Sequence, residues 1–496
     1  MSYQTAIASM FALGHELAQT PSNKFDLAHM RVLLAAMGHP ERDFPSVLIA
    51  GTNGKGSTAA TLASILRASS LKTALYTSPH LIRINERIRV NGEEIADDDF
   101  AELHGGVDRT AERLVAQGEL PWHPSFFEMM TAIAFAYFAR QKVEIAVLEV
   151  GMGGRLDATN VVEPLVSVIA DISLDHQKFL GDTVTEIARE KVGIIRPGGV
   201  VVTLPQQPDA NDVIGNTILD LGARGVSAVQ YVPPVSPGSG NYLVSSEPRM
   251  PDSTKGLLTT EDPGGTRNTK KGTDDGSRFL YRYPLQVMSE QILVETPLVG
   301  RHQLRNVALA IAAAAELSKL SAVEPRTPSS GVAHAIAPRF SRITPKSIER
   351  GIRETHWPGR FQRLGARGGW PEIVLDVAHN PAGAWALRSA LSECYSDRPL
   401  VFVFGAMRDK AISEMTEILF PLADRVIATR AENPRSASPE EIQLAGSRSG
   451  TETEAVAEVG AALERARHSA GPKTVVVVTG SIYLVGETMH LLRVKA

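Results

Sequence analysis

Apolar and polar positions along this chain fall into short blocks of two kinds. Near-continuous apolar runs lie at 47–50, 73–76, 145–150, 166–172 and 200–204. Runs rich in helix formers lie between them, notably 58–68, 127–140 and 184–194. Uninterrupted apolar strands suit a parallel sheet covered on both faces. Strand alternating with helix predicts a doubly wound α/β domain. The N-terminal 1–17 reads as an amphipathic helix.

The rhythm breaks from about 206 to 290. Residues 233–277 are dense in Pro, Gly, Ser, Thr and charge, bury little apolar surface, and read as a loop or insertion. Order returns at 291–297, followed by an alanine-rich helix over 305–320, a Pro/Ser-rich linker over 323–344 and a helix over 345–354. A second α/β rhythm starts after Trp357-Pro358-Gly359-Arg360. Its strands are expected at 373–377, 400–404, 425–429 and 474–479, and its helices at 383–391, 415–422, 439–444 and 454–467. The expected fold is therefore α/β in two domains. Residues 1–356 form a doubly wound sheet with a phosphate loop and a polar insertion at about 233–278. Residues 357–496 form a smaller Rossmann-like domain of four strands.

Composition narrows the possibilities. A length of 496 residues exceeds one ordinary core. A net charge of −4 gives no basic footprint for nucleic acid. The lone Cys394 excludes an intramolecular disulfide. No apolar run approaches the ~20 residues that span a bilayer, and no secretory signal is evident. A cytoplasmic monomer acting on small molecules is expected, without nucleic acid or membrane as partner.

The chemistry sits at strand ends. Gly51-Thr52-Asn53-Gly54-Lys55-Gly56-Ser57-Thr58 lies between the first apolar run and the first helical one. Strand, glycine-rich turn and helix set backbone N–H groups and a helix N-terminus against a phosphate. Lys55 can reach the outer phosphates of a nucleotide, and Ser57 can offer its hydroxyl to Mg²⁺. The spacing is irregular: only Thr52 and Asn53 separate Gly51 from the Gly-Lys pair, where the usual loop has about four residues.

Other strand ends leave alternatives open. Ser78 offers either a metal ligand or an ordinary Ser-Pro turn. Glu149 is either a Mg²⁺ ligand beside the phosphates or a structural ion-pair partner. His176 reads equally as a ligand or general acid and as a packed residue. Lys191, near a helix end, reads as a bare exposed lysine. In the second half, Asp376 and His379 stand at one strand end. Asp376 is a functional acid or a cap, and Arg360 reaches a nucleotide across the domain cleft or lies on the surface.

Taken together these residues resemble the Mur ligase superfamily, and within it the folylpolyglutamate synthase/dihydrofolate synthase family. Carrying residues include Gly51–Thr58, Ser78-Pro79-His80-Leu81, Ser125-Phe126-Phe127-Glu128, the 149–160 stretch, Leu174-Asp175-His176, 189–197, Arg305-Asn306, 358–362, 376–381 and Gly480-Ser481. They span nearly the whole chain. The resemblance implies an ATP-dependent ligase that phosphorylates a pterin or folate carboxylate and joins it to L-glutamate. It implies ATP binding by Gly51–Thr58 with Asn306, Arg360 and Asp376. It implies one Mg²⁺ held by Ser57, Ser78 and Glu149, and a second held by His176 and a carbamylated Lys191. Lys55, His176, Lys191 and His379 would be catalytic, with His379 and Ser481 near the incoming glutamate. Ser125, Phe126, Phe127, Glu128, Leu156, Asp157 and Ala158 would hold the pterin. Arg155 and Ala158 resemble the bifunctional bacterial enzymes more than the folate-only ones. The rivals are a peptidoglycan-type Mur ligase, against which the Ser-Pro-His-Leu and Ser-Phe-Phe-Glu stretches speak, and a nucleotide-binding regulator without catalysis.

Overall fold

The computed structural model describes residues 1–14, 27–234, 243–246, 278–320, 340–366 and 368–494. The first sheet has eight strands: β1 (Ser46–Ala50), β2 (Thr73–Tyr76), β3 (Ile88–Val90), β4 (Glu93–Glu94), β5 (Ile145–Glu149), β6 (Val166–Ile169), β7 (Val200–Thr203) and β8 (Arg224–Ser227). They run in the order β4-β3-β2-β5-β1-β6-β7-β8. The six from β2 to β8 in that order pair in parallel, and β3 and β4 close one edge antiparallel.

Strand alternation builds two cores. Leu48 and Ala50 face one side of β1, with the helices Tyr3–Ala12, Leu27–Ala36, Asp97–Ala116 and Phe126–Gln141. Val47 and Ile49 face the other, with Lys55–Ala68, Arg301–Lys319 and Pro345–Arg353. Parallel pairing sends every C-terminal strand end to one edge, which is where such sheets bind ligands. Ile49 pairs with Glu149 on one side and Val168 on the other. The glycine-rich turn after β1 therefore lies between the tips of β5 and β6.

A three-stranded antiparallel sheet follows: β9 (Leu243–Ser246), β10 (Arg278–Val287) and β11 (Glu290–Thr296). The last sheet holds β12 (Gln362–Leu364), β13 (Glu372–Leu375), β14 (Leu400–Phe404), β15 (Arg425–Ala428), β16 (Thr453–Ala455) and β17 (Val475–Thr479), in the order β12-β13-β17-β14-β15-β16. It too is parallel, except for β12. Tyr281 of β10 donates to Glu393 at 2.7 Å, and Phe279 meets Tyr395 edge-on, so the middle sheet leans on the last one.

Several boundaries differ from expectation. The α/β rhythm does not stop near 206: the helix Pro208–Asp220 and β8 extend the first sheet. Their mixed polarity follows from an edge position, where one face is wet. The last sheet has six strands rather than four. The helix expected from 454 instead begins later, at Val459–Ser469, and Thr453–Ala455 form an edge strand on β15. An available ladder partner overrides a weak local preference there. The N-terminal helix is shorter than expected, Tyr3–Ala12. The expected insertion at 233–277 falls mostly outside the described residues, as does most of the 323–344 linker. Among the described residues no helix is long and apolar enough to cross a membrane.

Candidate functional site

The tips of the first sheet and those of the last face each other across a cavity of about 720 Å³. Every candidate residue named from the sequence lines it except Thr58. Thr58 is fully buried under the turn, its hydroxyl without a partner. A threonine in the first helical turn faces either the ligand or the core, and here the core has it.

The glycine-rich turn ends on the helix Lys55–Ala68, which starts earlier than the sequence implied, so Gly56 and Ser57 belong to its first turn. Gly54 caps it at φ +81°, in the left-handed region that favours glycine. A Cβ there would also strike the Asn306 side chain. Lys55 bends back onto the turn, its Nζ donating to the Thr52 carbonyl at 3.1 Å. Thr52 and Asn53 are pinned to the β6 tip: Thr52 N donates to Asp171 O at 2.6 Å, and Asn53 Nδ2 donates to Ser173 Oγ at 3.0 Å.

Glu149 is 5 % exposed and accepts a 3.3 Å bond from the Ser78 backbone N–H. Burial pushes its carboxyl pKa up, against the pull of Lys55, that N–H and Arg360. A buried carboxylate so sparsely paired suits a bound cation. The hydroxyl-bearing Ser57 and Ser78 line the same cavity. Hard oxygen donors of this kind fit Mg²⁺.

Lys191 corrects the sequence reading. It is not exposed but 4 % accessible, because Ile187, Ala188, Lys191 and Val192 form the inward stripe of the helix Val184–Val192. Its Nζ donates to the Gly51 carbonyl at 2.8 Å. Burial, then Lys55, pulls its pKa down to about 7. The loop ahead of it packs so tightly that a Cβ on Gly154 would meet the Glu190 and Lys191 carbonyls. His176 sits close by in the left-handed region, with burial pushing its pKa down to about 4.

The pterin candidates line the same cavity. Phe127 packs on Gly151. Ser125 and Glu128 close a capping box on the helix Phe126–Gln141, and Glu128 also meets His29 at 2.9 Å. Asp157 turns its carboxylate into its own loop, accepting from Met152 N and Thr159 N. Leu156 and Ala158 complete the wall.

From the last sheet come Asp376, His379 and Ser481. Asp376 accepts from Phe361 N at 2.8 Å and Ala378 N at 2.9 Å, with Arg360 nearby. His379 bonds the Val377 carbonyl through Nδ1 at 2.9 Å. Its pKa is pushed down to about 4 by burial and then by Lys410. Ser481 caps the helix Ile482–Leu491.

Three residues went unassigned from the sequence. Asp175 accepts from Lys410 Nζ at 2.7 Å, from Asn380 Nδ2 at 3.2 Å and from His176 N at 2.8 Å. Its pKa lies well below the carboxylate range: burial opposes this, and His176, Lys410 and His379 outweigh it. Lys410 follows an apolar strand as the first-domain candidates do, so the same strand-end rule applied to β14 would have found it.

A family model described as Mur ligase, glutamate ligase domain, matches residues 359–482. Folylpolyglutamate synthase of Lacticaseibacillus casei is 32% identical over 469 residues, covering 94% of this chain and 94% of that protein. Dihydrofolate synthase/folylpolyglutamate synthase of Bacillus subtilis (strain 168) is 31% identical over 470 residues, covering 94% and 95%. Among solved structures, Mycobacterium tuberculosis folylpolyglutamate synthase complexed with ADP and AMPPCP matches with a TM-score of 0.75 at 28% identity, covering 98% of each chain. An FPGS-AMPPCP-folate complex matches with a TM-score of 0.70 at 28% identity, covering 99% of this chain and 100% of that one.

Proposed function

The chain belongs to the folylpolyglutamate synthase/dihydrofolate synthase family, and from that premise we propose that it joins L-glutamate to both dihydropteroate and reduced folates in the cytoplasm, as a monomer. It is an ATP-dependent ligase. The observation that carries the site assignment is the single cavity in which Lys55, Glu149, His176 and Lys191 face Arg360, Asp376, His379 and Ser481. We take 1–356 as the ATP-binding domain and 357–496 as the glutamate-ligase domain.

The turn from Gly51 to Ser57 would cradle the ATP phosphates through its backbone N–H groups. Lys55 would leave the Thr52 carbonyl for the outer phosphates, while Asn306, Arg360 and Asp376 meet the rest of the nucleotide. Ser57, Ser78 and Glu149 would hold Mg²⁺, and bound there it offsets phosphate charge during transfer. The pterin, against Phe127, Leu156 and Ala158, would present its carboxylate to the γ-phosphate. Phosphoryl transfer gives an acyl phosphate and ADP. The glutamate amine, near His379 and Ser481, then attacks the acyl carbon. The C–N bond forms, phosphate leaves with the C–O bond pair, and the amine gives up a proton. The His379 ring, with Nδ1 donating to the Val377 carbonyl, would offer Nε2 as a hydrogen-bond acceptor that orients the amine while the proton passes to solvent. No side chain of the protein need become covalently attached.

Lys191 adds a second element. A lysine whose pKa lies near 7 is largely unprotonated in mildly alkaline solution. Its free amine can add CO₂, losing one proton to give a carbamate. That anion, beside His176, would hold a second Mg²⁺. Supporting this are the burial of Lys191 and the lack, among the described residues, of a carboxylate in ion-pair contact with it, since a buried bare cation is costly.

The test is phosphate release from the purified chain with ATP, Mg²⁺ and L-glutamate. Dihydropteroate and tetrahydrofolate should each drive turnover. A UDP-linked muropeptide precursor with its amino acid should not. No glutamate-dependent turnover with either pterin would sink the proposal.

A further inference from the structure

The contacts of Asp175 point past the chemistry of the reaction to the assembly of the cavity. We propose that Asp175 is a positioning residue that ties the second domain to the loop beside the glycine-rich turn, with the peptide leading into His176 held on the same carboxylate, an inference that rests on the ligase reading of the cavity.

Asp175 belongs to the loop after β6, and its side chain is 8% exposed. One oxygen takes the His176 N–H at 2.8 Å and Lys410 Nζ at 2.7 Å. The other takes Asn380 Nδ2 at 3.2 Å. Lys410 and Asn380 both come from the last sheet's domain. The lysine is itself only 10% exposed. A desolvated pair of this kind is worth little beside an apolar pair, but breaking one side leaves the other charge buried and unmet. The pair therefore acts in the assembled arrangement and penalises any other.

Asn380 extends the tie. Its Oδ1 accepts from Gly383 N at 2.8 Å, capping the helix Pro381–Cys394. Its Nδ2 also donates to Asn53 Oδ1 at 3.0 Å. Asn53 in turn holds Ser173 at 3.0 Å. One side chain from the second domain thus touches both the glycine-rich turn and Asp175, and its hydrogen-bonding capacity is spent on that junction.

The third contact concerns His176. Its backbone lies at φ 53°, where residues with a Cβ are uncommon. Holding such a conformation needs an external restraint. The turn that opens at His176 supplies it, the His176 carbonyl accepting from Phe179 N at 2.9 Å and Leu180 N at 3.1 Å, while the His176 N–H on Asp175 orients the peptide that leads into it. The carboxylate that receives the second domain therefore also orients the peptide leading into His176. Both histidine rings also stand beside it, His176 Nε2 at 4.0 Å and His379 Nε2 at 3.7 Å from the same oxygen that takes Asn380.

A purely structural ion pair would change stability and leave the rest alone. A tether between domains makes other demands. The full chain would be prepared as Asp175→Asn, Lys410→Met and the double variant, with folding checked by circular dichroism. Exposed Glu112 and Glu464 would carry spin labels through Glu112→Cys and Glu464→Cys in a Cys394→Ala background. Each single variant should lengthen and broaden the inter-label distance distribution. Each should lower kcat roughly a hundredfold, while the Kd for ADP stays within about threefold. The double variant should be no slower than the worse single. Unchanged distances in both singles, or losses that add in the double, would overturn the proposal. Asn380→Ala changes no residue of the first domain and should lengthen the distance as well, which keeps the test open if Asp175→Asn does not fold. If the parent chain shows no glutamate-dependent turnover, the ligase reading fails, and the distance measurement still decides the tether.

Discussion

Two lysines line the same cavity and are held in opposite ways. Lys191 donates to a backbone carbonyl, and Lys410 to a carboxylate. The first has lost solvent, and burial with the Lys55 charge outweighs the more distant carboxylates of Asp175, Asp157 and Glu190, so its pKa falls to about 7. The second meets the charge of Asp175 directly. The acids repeat the contrast. Glu149 has one backbone donor at 3.3 Å, whereas Asp376 has two below 3 Å. Of these four groups the unmet pair, Glu149 and Lys191, belongs to the first domain, and the met pair, Asp376 and Lys410, to the second. An arrangement that leaves an acid and a lysine unmet on one wall is prepared for ligands the protein itself does not supply. The facing wall is prepared to hold shape.

The largest effect should fall on the unmet acid. Glu149→Gln keeps size and removes charge. It should lower the rate of phosphate release about a thousandfold, as loss of a principal electrostatic group does. The unfolding midpoint in urea should hold or rise, because a buried, poorly paired carboxylate is a burden on the fold. A drop in stability with unchanged turnover would place Glu149 in the structural class instead.

Lys191→Met should cost about a hundredfold, comparable to losing a supporting group of a metal site. Lys191→Ala should regain activity with small added carboxylates. Its pH signature has a definite sign. The folded pKa, about 7, lies below the unfolded value near 10.5. Between those values the unfolded chain binds more protons, so stability rises with pH. Below 7 both states are protonated and the slope vanishes. In CO₂-free buffer the urea midpoint of the parent should climb from pH 7 to 10 relative to Lys191→Met. Parallel curves would show that Lys191 is not the neutral-leaning group described. The lowered histidines act in a separate window: with folded values of about 4, His176 and His379 contribute stability that is lost as pH falls from about 6.5 toward 4.

The alternation of elements was readable because parallel strands carry their signal locally, as apolar runs such as 145–149. Glu149 and the glycine-rich turn were readable for the same reason, since strand ends of one sheet share an edge. Lys191 was misread because its burial comes from a stripe shared with Ile187 and Ala188, a helical period that a single lysine hides. Asp175, Asn380 and Lys410 went unassigned because their meaning is a contact over more than 200 positions. No local pattern carries that. β16 was lost to a weak preference that an edge partner overrides.

Among the met groups the expected effects shrink. Asp376→Ala removes an acceptor from two backbone N–H groups. Leaving such donors unmet costs about 1–3 kcal/mol each. The midpoint should drop accordingly, with turnover falling about tenfold through nucleotide affinity. A large loss of kcat with no loss of stability would move Asp376 to the chemical wall.

The smallest effect should come from Arg155. Its guanidinium meets one oxygen of Glu190 at 2.9 and 3.2 Å, and its side chain is 55% exposed. An exposed pair of this sort contributes under about 1 kcal/mol. Arg155→Ala should therefore barely move the urea midpoint. Arg155 lines the cavity, but its guanidinium is held on Glu190, the neighbour of Lys191. The ratio of kcat/KM for dihydropteroate to that for tetrahydrofolate should then change by less than about threefold, a difference worth well under the 1.4 kcal/mol of a tenfold step. A tenfold change would mean that Arg155 leaves Glu190 and reads the substrate directly, and would bring a charged group into a wall otherwise defined by Phe127, Leu156 and Ala158.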